Sequence, residues 1–265
     1  IGGIKSIANV TEKIVPFMAV LYVGTALVII LMNISQIGHV FSLIFNGAFA
    51  PDAALGGVIG VLIVGFQRAA FSNEAGVGSA SIAHSAAKTS EPVSEGIVAL
   101  LEPFIDTIII CTLTGLTIIV TGAWYHTEFY TTRIDPEFAG SLLNGSLLTS
   151  LAFKDGLAYI FPYGDKIITL GVLLFAISTV ISWSFYGDRS TEYLFGEKAI
   201  PIYRGFYILF VFIGAIAELE AIWAFGDAAL GFMTFPNLIA VILLSTSLKK
   251  MTDTYFSQKH IPYKK

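Results

Sequence analysis

Charge is scarce in this sequence. Asp, Glu, Lys and Arg make up 13% of its 265 residues, and 55% are apolar; an ordinary soluble domain carries about 25% charged residues. One water-soluble core cannot hide so much apolar surface. An ordinary soluble globule is excluded, and lipid becomes the solvent for much of the chain. Cysteine is almost missing. The single thiol, Cys111, rules out an intrachain disulfide, and its place in an apolar run reads as a small buried side chain. The four histidines, His39, His84, His126 and His260, are scattered without metal-ligand spacing. No phosphate-cradling Walker loop occurs, and nothing points to nucleic acid. Serine–histidine chemistry around "GSASIAHS" lacks a defined base or oxyanion partner. No catalytic residue and no cofactor is assigned, and the chain is not read as an enzyme. There is no signal-peptide pattern. The chain opens at Ile1 in what reads as the middle of a protein, a C-terminal part incomplete at its N-terminus.

What the sequence does hold is long hydrophobic runs. A helix crosses the hydrocarbon layer of about 30 Å in roughly 20 residues. Six segments are read as spans: about Glu12 to Asn33, Ala53 to Ala70 or beyond, Ser94 to Val120, Asp165 to Tyr186, Tyr203 to Ala217, and Asp227 to Leu248. The fifth is short for a span. Basic residues alternate between the short connections, whereas the long third connection carries Arg133 and Lys154, with Lys166 at its end. Lys5 and Lys13 precede the first span, the next connection has none, and Arg68 and Lys88 follow the second. Arg189, Lys198 and Arg204 follow the fourth, the next turn has none, and Lys249, Lys250, Lys259, Lys264 and Lys265 end the chain. The positive-inside rule then places both termini in the cytoplasm, residues 121–164 as an extracellular loop and residues 249–265 as a cytoplasmic tail. The loop's Trp124, Tyr125, Phe129 and Tyr130 suit a membrane–water interface. Its "SLLNGSLLTSLAF" is read equally as a helix lying on or dipping into the membrane and as plain packing. The expected fold is an all-α polytopic membrane protein with six transmembrane helices.

The second segment runs without pause into "GFQRAAFSNEAGVGS", residues 65–79. Two readings stand. In one, the span ends at Ala70 and the polar stretch is a cytoplasmic loop. In the other, the helix is broken, unwound near Gly65 to Arg68, with Gly76 and Gly78 beyond. Irregular backbone at membrane depth occurs only inside protein or along a cavity, and half-helix ends beside an unwound stretch mark transporter binding sites. The half-helix N-terminus favours a carboxylate and freed carbonyls favour a cation. Arg68 and Glu74, six residues apart, are a possible pair. Asp106 lies in the third span, where a carboxylate costs roughly 2.5–3.5 kcal/mol unless it faces protein or water. It reads as an ion-pathway or gating group, or as a structural partner for backbone or Arg68. In the fourth span, Ser178 and Ser182 share a face, as do Thr179 and Trp183, each pair four residues apart. Such hydroxyls serve either as glue between helices or as the wall of a small polar solute or sodium site. Pro236 breaks the hydrogen-bond ladder of the sixth span, and a kink is expected there.

The stretch "GFQRAAFSNEAGVGSASIAHSAAKTSEPVSEGIVALLEPFIDTIIICTLTGL" resembles the signature of the sodium:alanine (amino acid carrier) symporter family. Ala69 stands where that pattern has Gly, and Ser81 where Pro is common. "SWSFYGDRSTEYLFG" and "FPNLIAVILLS" resemble the family's later helices, so the likeness covers nearly the whole chain. It implies a single transporter domain over residues 1–265 with a LeuT-type inverted-repeat fold. The six spans are then helices five to ten, the second of them discontinuous. It also implies sodium-coupled symport of a small neutral amino acid, alanine or glycine, across the cytoplasmic membrane by alternating access. Gly65, Phe66, Gln67, Thr179 and Trp183 become substrate-binding residues, with Trp183 capping a small side chain. Ser178 and Thr179 become sodium candidates. Arg68, Ser72, Asn73, Glu74, Gly76 and Asp106 become gating or structural polar groups. The implied partners are the amino acid, Na+ as coupling ion, the bilayer, and a missing N-terminal half of the same protein. Rival readings are a proton-coupled transporter with Asp106 as carrier, a channel, or a non-transporting subunit.

Overall fold

The computed structural model describes residues 3–49, 53–74, 76–124 and 145–259. All regular structure among them is helical. Helix α1 is Gly3–Met32, followed by a tight turn at Ile34–Gln36 and α2, Ile37–Ala48. Helix α3 is Ala53–Ser72 and α4 is Ser79–His84. Helical span α5 is Pro92–Val120, with a π-helical segment at Phe104–Cys111. Then come α6, Gly145–Leu157, α7, Gly164–Phe195, α8, Ile200–Ile216, and α9, Leu219–Ser257.

Among the described residues, five apolar helices are long enough to cross a membrane: Val10–Met32, Pro92–Val120, Gly164–Phe195, Glu197–Ile216 and Leu219–Ser257. Helix α3 adds a shorter apolar stretch, Val58–Ser72. The chain is therefore an all-α polytopic membrane protein. Spanning α-helices satisfy every backbone group within themselves, and hydroxyls in these runs do likewise. Thr114 donates to the Ile110 carbonyl (2.8 Å), Thr117 to Leu113 (2.8 Å) and Ser178 to Phe175 (2.8 Å). Helix α9 continues unbroken through Pro236 and past the expected end of its span to Ser257. Its 39 residues reach about 58 Å at 1.5 Å per residue, well beyond the hydrocarbon thickness.

Helix α2 was not expected, because twelve residues are too few to span. Its signal was present: Ile37, Val40, Phe41 and Ile44 fall on one helical face. Cys111 differs from expectation too. It is exposed, because in a membrane helix the apolar face turns outward to lipid. The expected loop 121–164 is described only in part. Trp124 ends one described stretch, whereas Tyr125, Phe129 and Tyr130 lie outside the described residues, as do His126 and His260.

The chain forms two compact units, one of residues 1–61 with 107–185, the other of 62–106 with 186–265. The first is centred on Ala26, Ile29, Val40, Val120, Phe153, Leu157 and Ile168, all buried. Phe153 of α6 is fully enclosed, with its ring 5.2 Å from that of Tyr22 on α1. Tyr22 donates to Thr114 Oγ1 at 2.5 Å, since the Thr114 proton is already committed to Ile110. Leu151, Ala152 and Leu157 are buried as well, so α6 packs into this unit, with one face against protein. A Cβ at Gly164 would run into the Phe153 carbonyl, whereas one at Gly171 on the same helix meets nothing within 4 Å. Backbone cannot rotate aside as a side chain does. Gly164→Ala is therefore expected to destabilise the protein by up to about 3 kcal/mol, and Gly171→Ala to be near neutral. Thermal unfolding of both variants in detergent checks this; equal melting temperatures would count against the contact.

In the second unit, Gly187 of α7 lies against the Tyr203 ring of α8, close enough that a Cβ there would collide with its hydroxyl. One residue on, Arg204 grips the buried Asp188 with one edge of its guanidinium: Nε to Oδ1 at 3.1 Å and Nη2 to Oδ2 at 2.7 Å. These contacts fix α8 on the end of α7.

Candidate functional site

Helix α3 does not unwind at Gly65 to Arg68. It runs continuously to Ser72, and Asn73 closes its last turn by donating to the Ala69 carbonyl at 2.9 Å. In an apolar setting a freed backbone group costs more than glycine's weak helix propensity, so one glycine does not break a helix there. The break comes later, where left-handed backbone clusters: Glu74 at φ 49°, Gly76 at φ 80° and Gly78 at φ 90°. Helix α4 then restarts at Ser79. A left-handed conformation costs a residue with a side chain roughly 1–2 kcal/mol, so Glu74 is held there by its surroundings. The substrate candidates Gly65, Phe66 and Gln67 are exposed on the unbroken helix.

Asp106 ties the end of α3 to the π-helical part of α5. Its Oδ2 accepts from Asn73 Nδ2 at 2.9 Å and from the Ser72 hydroxyl. Asn73 is 9% exposed, so this is a largely desolvated, charge-assisted link. The π segment begins directly after Pro103, whose missing N–H cannot continue an ordinary ladder. π-helical turns often occur at functional sites.

Arg68 pairs with neither Glu74 nor Asp106. Its Nη2 lies 3.2 Å from Asp227 Oδ2 on α9, and its guanidinium sits 4.5 Å from the centre of the Trp223 ring. Glu74 lies past the end of α3 in left-handed backbone, so helical spacing does not bring it to Arg68. Past the break, Asn237 Nδ2 donates to the Gly76 carbonyl at 2.9 Å. His84 Nδ1 lies 2.7 Å from Glu95 and its Nε2 3.7 Å from Glu102, joining α4 to the start of α5. Sequence reasoning missed Asp227 and Asn237. Asp227 carried the same signal as Asp106, a carboxylate within an apolar run.

Ser178, Thr179 and Trp183 belong to the first unit, on α7. Ser178 is 8% exposed and donates its proton to the Phe175 carbonyl. Thr179 and Trp183, one helical turn apart, are half-buried. The α3–α4 break and Asp106 belong to the second unit.

The whole chain, residues 1–265, matches the sequence profile of the sodium:alanine symporter family. The chain belongs to this family. Over 257 residues it is 44% identical to the sodium/alanine symporter AgcS of Methanococcus maripaludis, covering 96% of this chain and 53% of that protein. It is 42% identical to an uncharacterised transporter of Haemophilus influenzae, over 98% of this chain and 55% of that one. It is 35% identical to the probable sodium/glutamine symporter GlnT of Bacillus subtilis, over 97% of this chain and 51% of that one. The chain thus spans about half the length of the curated relatives it matches. Family membership and the α3–α4 break meet in one stretch, since the signature residues Arg68, Asn73, Glu74 and Asp106 are those that form the break and its ties.

Proposed function

We propose that this chain is part of a symporter that carries a small neutral amino acid, alanine or glycine, together with Na+ across the cytoplasmic membrane. Membership of the sodium:alanine symporter family over residues 1–265 carries the reading. The polar break between helices supports it, because irregular backbone at membrane depth is found inside protein or along a cavity, and interrupted helices are where transporters place their sites. No bond is made or broken, so the protein is a transporter and not an enzyme. The six apolar segments serve as helices five to ten of a LeuT-type fold, with both termini of the chain cytoplasmic, as the Lys and Arg alternation favours. Solute and ion bind near midplane and the helices rock to expose them inside. One charge moving down about 100 mV supplies roughly 2.3 kcal/mol, and the sodium gradient adds to it.

In this reading Gly65, Phe66 and Gln67 with Thr179 and Trp183 face the amino acid, and Ser178 and Thr179 face Na+. Arg68, Ser72, Asn73, Glu74, Gly76 and Asp106 hold the path or gate it. The test is alanine uptake into proteoliposomes by the longest natural reading frame containing this chain, with an inward Na+ gradient and K+ and Li+ controls. Saturable, Na+-dependent uptake supports the reading. Uptake that follows a pH gradient instead indicates proton coupling, unsaturable Na+ flux without alanine indicates a channel, and no uptake under either gradient sinks it.

Trp183 sets the size limit. Trp183→Ala is expected to raise the KM for alanine about tenfold, the loss of roughly 1.4 kcal/mol of contact, and to admit bulkier neutral amino acids such as glutamine. Competition uptake with alanine, leucine and glutamine checks this; an unchanged selectivity profile would remove Trp183 from the site.

A further inference from the structure

Helix α9 meets the polar break at two levels. Before it, Trp223 and Asp227 share one face of α9, four residues apart. Arg68 and Phe71 share one face of α3, three apart. They interlock in pairs: the Arg68 guanidinium lies over the Trp223 ring and pairs with Asp227, and the Phe71 ring meets Trp223 edge-on at 5.3 Å. Beyond the break, Asn237 donates to the Gly76 carbonyl. A Cβ at Gly78 would lie 3.1 Å from Asn237 Oδ1, so that residue closes over the second left-handed glycine too. Asp227 and Asn237 are ten residues apart on α9, about 15 Å.

We infer that Asp227 and Asn237 of α9 are positioning residues for the polar break, splinting residues 72–79 from both ends so that the strained backbone keeps one geometry for the solute path. The inference rests on the symport reading for its functional part only. The physical argument is local. Left-handed backbone at Glu74, Gly76 and Gly78 has no helical ladder; its local bonds are a long one from Val77 N to the Glu74 carbonyl (3.5 Å) and one from the Ser81 hydroxyl to the Gly78 carbonyl (2.7 Å), so contacts from outside the segment help to set its shape. The Gly76 carbonyl is oriented by one amide donor. The last turn of α3 is anchored by a charge pair whose other partner also stacks on an aromatic face, an arrangement that suits arginine and not lysine. Neither contact touches the solute residues, which lie elsewhere on α3 and on α7.

The test uses the full natural protein with Asp227→Asn, Asn237→Asp, Arg68→Lys and the charge exchange Arg68→Asp with Asp227→Arg. Asn237→Asp keeps the size of the side chain and removes the donor. Two readouts are taken on each folded, monodisperse variant: amide hydrogen exchange of peptides covering residues 72–79, and the KM and maximal rate of Na+-dependent alanine uptake. Asp227→Asn and Asn237→Asp are expected to speed exchange in this segment at least tenfold and raise KM about tenfold, with little change in exchange along α7. The charge exchange should recover part of both. Exchange unchanged in both variants overturns the splint. Faster exchange with unchanged KM overturns the positioning role and leaves a merely structural clamp. If the wild type does not transport alanine, the symport reading fails, and the exchange data still decide whether α9 holds the break.

Discussion

Asp106→Ala is expected to reduce Na+-dependent alanine uptake by about a hundredfold at equal amounts of folded protein. The carboxylate is the shared acceptor of Asn73 Nδ2 and the Ser72 hydroxyl. A hydrogen bond to a charged group contributes about 1.5–3 kcal/mol. Ser72 is exposed and Asn73 buried, so most of the loss falls on the Asn73 bond. About 2.7 kcal/mol, a factor of a hundred, is the scale set by losing the buried bond wholly and the exposed one in part. What is lost is geometry: the end of α3 is no longer tied to the π-helical turn of α5, and the break begins at the next residue. Asp106→Asn keeps the shape and one acceptor oxygen but gives up the charge, so its uptake should fall between the two. Initial-rate uptake in proteoliposomes, repeated from acid to neutral pH, reads both effects. Full activity in Asp106→Ala would show that the tie is dispensable. An Asp106→Asn protein that transports but has lost all pH dependence would turn the assignment toward proton coupling.

Arg204→Ala is expected to cost about 3 kcal/mol of stability, and Asp188→Ala less than about 1 kcal/mol. The asymmetry follows from burial. The Asp188 side chain is 7% exposed and that of Arg204 44% exposed. Removing the arginine strands a desolvated carboxylate that had held a two-pronged partner; removing the aspartate leaves a guanidinium that reaches polar surroundings. Leaving a buried charge unpaired costs more than losing an exposed one. Thermal unfolding in detergent, followed by intrinsic fluorescence, should show Arg204→Ala melting well below Asp188→Ala. Equal losses would mean that the pair acts by packing and not by charge. Because the pair joins α8 to the end of α7, the unstable variant should also expose the Tyr203 contact at Gly187 to faster amide exchange.

Much of the helical frame was legible. The apolar runs at residues 12–33, 94–120, 165–186, 203–217 and 227–248 each lie, to within one residue at an end, inside a helix long enough to span, because hydropathy over about 20 residues is a local property that the bilayer reads directly. Helix ends were legible less well. Helices α7 and α9 continue to Phe195 and Ser257, about two and a half turns past the apolar run, since a helix carries on in water once its core turns are packed. The short helix α2, at twelve residues, falls below the length that marks a span, and only its period shows it. In the polar stretch, Asn73, Glu74, Gly76 and Asp106 stand out in the sequence and do build the break. Of the two readings of this stretch, unwinding near Gly65 to Arg68 is overturned, since an apolar surrounding enforces the ladder there, whereas a helix ending at Ala70 comes within two residues of the observed end at Ser72.

Composition and hydropathy by themselves pointed to lipid as the solvent and fixed where the apolar runs lie. These are sums over neighbouring residues, and no packing changes them. Only the tertiary structure decided which charge meets which. Arg68 finds Asp227, 159 positions away, and not Glu74 close by. Asp106 takes Ser72 and Asn73, and Asn237 reaches back to the Gly76 carbonyl. In a low-dielectric interior a charge accepts whichever partner the packed helices bring within about 4 Å, and several partners are equally good until the helices have packed. The break is strained backbone held from outside, so its place depends on α5 and α9 as much as on its own glycines.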